Sequence, residues 1–202
     1  MKTRIVASLI IVCAALAFVS SQVAFAIIKA RNTPILQLFQ GDGRHFVLRQ
    51  PLVYEIKKTG AIVIVPEGFV TDFASVPWVA RSIIAVLGRH SVPAIVHDYL
   101  YWEQKCTRLQ ADLIMFDAME EYKSTWFEKH AVWRALRLRG EGPWSINTTD
   151  RKKGLLRVIP PEYADIPANT IWSQYRQELF DHGVRETQQT AVDSKAPSYC
   201  KL

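Results

Sequence analysis

The period of the hydrophobic pattern changes once along this chain, and that change constrains the fold more than any other feature. Between Ile35 and Val65 apolar residues recur every second position, and beyond Pro77 they recur at helical spacing. Strands are therefore expected first and helices after them. Phe46, Leu48, Leu52, Tyr54 and Ile56 alternate with Val47, Arg49, Val53, Glu55 and Lys57, which predicts a long strand with one wetter face. Gly41-Asp42-Gly43 and Lys58-Thr59-Gly60 read as turns, and Ala61 to Val65 as a returning strand closed by Pro66 and Gly68. Helices are predicted from Val79 to Leu87, from Pro93 through Trp102, from Arg108 to Tyr122, from Trp126 to Arg139 with Gly140 as its stop, and from Ile171 to Phe180. Beyond Pro143 the text thins into Asn, Thr, Lys and a Pro160-Pro161 pair, and the polar end is expected to be disordered. The expected fold is α+β: a small antiparallel β-rich N-terminal half packed on a helical bundle, with an N-terminal signal segment and an irregular C-terminal tail. The segments are 1–26, an α+β domain over 34–142, and an extension over 143–202.

The first segment reads as an address. Lys2 and Arg4 precede an uncharged run from Ile5 to Val19, followed by Ser20-Ser21-Gln22 and the small-x-small ending Ala24-Phe25-Ala26. That order is the one a secretory signal needs, either cleaved after Ala26 or kept as an anchor through residues 5–19. Cys13 follows Val12 and lacks the small residue that lipidation requires. An exported chain, periplasmic or secreted, with membrane contact at its N-terminal segment, is expected. Export leaves Cys106 and Cys200, either a disulfide or two independent cysteines. In 202 residues, 49% hydrophobic and 22% charged excludes a disordered chain, and a single apolar run excludes a polytopic membrane protein. The net charge of +6 is dispersed, so no nucleic-acid partner is expected.

One string concentrates the chemistry. Val96-His97-Asp98-Tyr99-Leu100-Tyr101 places a His, an Asp and two Tyr residues inside an otherwise apolar helix. Burying a carboxylate costs several kcal/mol unless it is paired, hydrogen-bonded or bound to a metal. His97 and Tyr101, four residues apart, share a face, and Asp98 points elsewhere. If the next helix returns antiparallel, Asp112, one turn after Arg108, comes opposite His97 and orients its ring. A His gripped by a carboxylate is the minimum equipment for activating water. Asp98, with Asp72 from the Thr71–Pro77 loop, would bind a hard cation such as calcium. The same residues would equally make a buried network that locks the helices together. Zinc chemistry needs at least three ligands, and only His97 and Asp98 are nominated. Ser75 has no nucleophile-elbow setting. His45, His90, His130 and His182 read as surface or turn residues, and Trp78, Trp102, Trp126 and Trp133 as core residues in preference to a rim facing lipid.

The strings Thr71-Asp72-Phe73-Ala74-Ser75-Val76-Pro77, Val96 to Tyr101, Arg108-x-x-x-Asp112 with Phe116 and Met119, and Ala135-Leu136-Arg137 before Gly140 resemble the DUF1353 family. That family is common in phages and prophages and has no assigned function. The resemblance covers about residues 35–140. A more local one, His-Asp-x-x-Tyr followed by Arg-x-x-x-Asp, is similar to the catalytic helices of secreted phospholipases of the A2 type. It implies His97 as general base, Asp112 as its orienting partner, Tyr101 as support, and Asp98, with Asp72, as calcium ligands. The glycine-rich calcium loop of that family is missing here. The expectation is an exported esterase acting on a lipid or another envelope substrate. Its alternative is a non-catalytic phage-derived or envelope-associated protein using the same residues as structural glue.

Overall fold

Pro51 interrupts the expected long strand, because a residue without an N–H cannot serve a ladder. In the computed structural model, which describes residues 33–73, 90–186 and 196–201, two strands stand in its place. β1 (Leu36–Leu38), β2 (Phe46–Leu48) and β5 (Val70–Thr71) form an antiparallel sheet in the order β1-β2-β5. β3 (Leu52–Ile56) and β4 (Ala61–Val65) form a separate hairpin in which Leu52 faces Val65 and Ile56 faces Ala61. The hairpin closes where Gly60 takes φ 67°, a conformation that costs glycine no Cβ clash, and donates its N–H to Ile56 O at 2.8 Å. The wetter face is wet only in part. Val47 and Val53 are buried and Glu55 is exposed. Val47 turns into a second core with Phe39, Val70, Leu156, Ile159 and Trp172, supplied largely by the C-terminal part of the chain.

Among the described residues five α-helices follow: α1 (Ser91–Glu103), α2 (Arg108–Glu121), α3 (Trp126–Arg139), α4 (Glu141–Lys152) and α5 (Trp172–Asp181). α1 starts with Pro93 in its first turn and ends where Gln104 takes φ 55°. It runs through the middle of the fold, against α2, α4, β4 and β5, which explains why almost all of it is apolar and buried. α2 and α3 each begin with a capping box, Thr107 with Gln110 and Thr125 with Glu128, which satisfies the N–H groups their first turns leave open. The expected α+β architecture holds over the described residues, where no helix is long and apolar enough to cross a membrane. The predicted Val79–Leu87 helix, residues 74–77 of the loop motif and the 1–26 segment lie outside the described residues.

Residues 33–202 form one unit by their internal contacts, and the C-terminal extension supplies part of it. The helix α4 is absent from the sequence expectation. Gly140 ends α3 as expected, but with φ −66° it also serves as the N-cap of α4, and Pro143 sits in the first turn of α4, where no N–H is needed. Phe69 pairs with Val158 as a bridge, with Gly68 so close to Ile159 O that a Cβ there would sit 2.2 Å from it. Asp42 accepts the backbone N–H of Trp172 at 3.0 Å and caps α5. Burial works against the Asp42 carboxylate, yet N–H donors from Arg44, His45 and Trp172 outweigh it and hold the pKa down at about 2. The polar end is ordered over 196–201: Cys200 is bonded to Cys106, and Tyr199 donates to Glu103 at 2.6 Å. Of the two states open to the cysteines, the structure has the disulfide.

The bridge spans 94 residues and so restricts most of the unfolded chain. Reduction, or the Cys106→Ser/Cys200→Ser pair, should lower unfolding stability by about 2–5 kcal/mol in urea titrations. An unchanged midpoint in dithiothreitol would show that the bridge does not restrain the tail.

Candidate functional site

Helical spacing brings the site together. His97 and Tyr101 lie one turn apart on α1, and their rings approach to 4.1 Å between centroids. Asp112, in the second turn of α2, faces them. Its Oδ1 accepts from His97 Nε2 at 3.0 Å and from the Tyr101 hydroxyl at 2.6 Å. Its Oδ2 accepts from Arg137 Nη1 of α3 at 2.8 Å and from Arg108 Nη1 at 3.4 Å. Asp112 and His97 are both 0% exposed. Burial opposes the Asp112 charge, but the bonds from His97, Tyr101 and Arg137 more than offset it, so its pKa lies below 3.8. Asp112 is thus a carboxylate and an acceptor only, and the proton between it and His97 belongs to Nε2. Burial, then the bond to Asp112, pushes the Tyr101 hydroxyl far up its range and keeps it a donor.

The surroundings close the cluster from the next two elements. Arg108 Nη1 also bonds the Leu136 carbonyl at 3.2 Å, and its Nε meets Glu141 at 3.2 Å. Trp144 of α4 stands edge-on to Tyr101 at 5.1 Å, and Asn147 Nδ2 donates to the Tyr101 carbonyl at 3.1 Å. Gly140 belongs to this site. A Cβ there would lie 2.5 Å from the Tyr101 hydroxyl and 3.0 Å from Arg108 Nη1, so the α3–α4 junction passes over the cluster only as glycine.

Three of the five nominated residues converge. Asp98 turns away, as its 100° offset on a helix requires, and takes the Thr71 hydroxyl of β5 at 2.5 Å on Oδ2. The same hydroxyl oxygen accepts the Phe73 N–H at 3.2 Å. Asp72 pairs with Arg157 at 3.3 Å and lines a cleft of about 320 Å³ with His45, Asn147, Asp150, Arg157 and Arg176. Among the described residues no group of three or more His, Cys, Asp or Glu side chains gathers to hold a metal. The sequence assigned Arg137 to a family string only and gave Trp144 and Asn147 no role. Helical spacing reveals none of them, because they arrive from α3 and α4. His90 is also buried, not a surface residue: it meets Ser124 at 3.1 Å and Glu128 at 3.6 Å, tying the start of α1 to the start of α3.

Residues 46–136 match the family model described as "Protein of unknown function (DUF1353)". Residues 46–136 belong to the DUF1353 family. Comparison with curated proteins and with solved structures finds no match. The DUF1353 segment opens at the first residue of β2 and contains His97, Asp98, Tyr101, Arg108 and Asp112. It stops one residue short of Arg137, so Gly140, Trp144 and Asn147 close the cluster from beyond it.

Removing Asp112 leaves two guanidinium groups, a hydroxyl and an imidazole without their shared acceptor. Asp112→Ala should cost about 3–5 kcal/mol in chemical denaturation. The pH dependence follows from the lowered folded pKa. Stability from Asp112 is fully present above the unfolded value of 3.8 and is lost as pH falls through the lower folded value. Asp112→Asn should flatten that acid limb, and an unaltered limb would contradict the assignment.

Proposed function

We propose that this protein is a non-catalytic, envelope-associated protein in which the His97–Asp112 cluster is a structural clamp. One observation carries this reading: His97 and Asp112 are both 0% exposed, and each Asp112 oxygen already accepts two donors. A general base must come within hydrogen-bond reach of the proton it removes. A fully satisfied buried network instead fixes the elements that supply it, here α1, α2 and α3. The envelope setting is supported by the basic–apolar–small order of residues 2–26 and by the Cys106–Cys200 disulfide, which suits an oxidising compartment.

A second reading, an esterase resembling the A2-type phospholipases, is favoured by one specific feature. Asp112 holds His97 Nε2 and thereby orients the ring, and Tyr101 braces the same carboxylate oxygen. Asp98 and Asp72, the calcium ligands of that reading, have Thr71 and Arg157 among their partners.

The two readings separate in one experiment. Full-length protein is incubated with phosphatidylglycerol vesicles, with calcium and with chelator, and fatty-acid release is measured beside the melting curves of wild type and His97→Gln. The clamp predicts no release under either condition and a stability loss of about 3 kcal/mol in the variant. Release by wild type that vanishes in a still-folded His97→Gln would replace the clamp with the esterase.

A further inference from the structure

Helix α3 carries large apolar side chains where a helix packed on a core should carry polar ones. Trp126 is 69%, Phe127 61% and Leu138 83% exposed. They lie on two adjacent stripes at i, i+4, i+7, i+11 spacing: Phe127, Ala131, Arg134, Leu138 and Trp126, His130, Trp133, Arg137. Val132 and Leu136, on the opposite side, are the residues α3 gives to the core. Core packing, the sequence expectation for Trp126, is therefore overturned, whereas Trp102 meets it. The aromatic surface is continuous. Trp126 stacks on His130 at 4.3 Å, and Phe116 of α2 meets both His130 and Trp133 edge-on, at 5.4 and 5.6 Å.

The charges on this face have one sign. Arg134 is exposed and has no hydrogen bond or ion pair among the described residues, and the ammonium of Lys123, just before α3, has none either. The acidic groups nearby are consumed: Glu120 pairs with Lys129 at 2.7 Å, and Glu128 is buried in the α3 capping box. Exposed Trp and Phe beside unpaired Arg and Lys complement an anionic bilayer, where aromatic rings enter the headgroup boundary and cations meet lipid phosphates. An acidic protein groove would satisfy the cations but would not by itself call for apolar side chains exposed at both ends of α3.

We infer that the outer face of α3 is a docking surface for an anionic lipid bilayer, through Trp126, Phe127 and Leu138 with Lys123 and Arg134. The inference rests on the envelope-associated reading only for the presence of a bilayer. The clamp and the docking face are tested by different residues.

Full-length protein is sedimented with phosphatidylglycerol vesicles and, separately, with phosphatidylcholine vesicles. Any contribution of the apolar run from Ile5 to Val19 is common to all variants compared. Wild type should prefer the anionic vesicles by at least about tenfold, and the preference should shrink several-fold in high salt. Lys123→Glu/Arg134→Glu should abolish that preference, and Trp126→Ala/Phe127→Ala should weaken anionic binding about tenfold with unchanged circular dichroism. His97→Gln, where folded, should bind as wild type does, which keeps a failure of the clamp distinct from a failure of the face. Equal binding to both vesicles, or variants that bind as wild type, would overturn the proposal. So would binding of duplex DNA that is tighter than binding to vesicles.

Discussion

The carboxylate of Asp112 is the point on which the helical part of this protein depends. It is the only acceptor shared by His97 and Tyr101 of α1, Arg108 of its own helix and Arg137 of α3 among the described residues. Taking the Asp112 carboxylate out of water costs several kcal/mol, which the bonds from His97, Tyr101 and the partly exposed Arg108 and Arg137 offset. What the charged set adds is geometry. Each Asp112 oxygen accepts in its own direction, so α1, α2 and α3 are held in one arrangement, and the α3–α4 junction must pass over it as glycine. The family span covers α1, α2 and most of α3, which contains the acceptor and all of its donors except Arg137.

Function follows from what such a centre leaves available. The same bonds that make Asp112 a good partner for an imidazole also enclose the pair, and its charge is shared with two arginines. Among the described residues, large apolar side chains the core does not use gather on the α3 face, which is why the docking proposal is placed there. The rest of the chain reinforces the frame from outside: Asp42 caps α5, Thr71 ties β5 to Asp98, and the disulfide returns the end of the chain to the start of α2.

Much of this was legible in the sequence. Local rules locate α2 and α3 to within a residue, because each begins with a capping box and carries its apolar residues at helical spacing. The His97–Asp112 pairing was legible too, since a short connection between two helices leaves few ways to place a buried acid opposite a buried imidazole. What escaped depends on partners distant in the chain. Val47 reads as a wet-face residue because the core it joins is made by Leu156, Ile159 and Trp172, more than a hundred residues on. Gly140 reads correctly as the stop of α3, but nothing local shows that α4 starts there or that Tyr101 and Arg108 occupy the space a side chain would need. The pairing of Asp72 with Arg157 escapes for the same reason, since Arg157 comes from the extension.

A double-mutant cycle between Asp112 and Arg137 tests the central claim most directly. Stabilities of wild type, Asp112→Asn, Arg137→Leu and the double variant are measured in urea at neutral pH. If the carboxylate joins α2 to α3 as described, the two losses are strongly non-additive, with a coupling of about 2 kcal/mol. Losses that add to within about 0.5 kcal/mol would mean the two groups do not depend on each other, and the clamp would not exist.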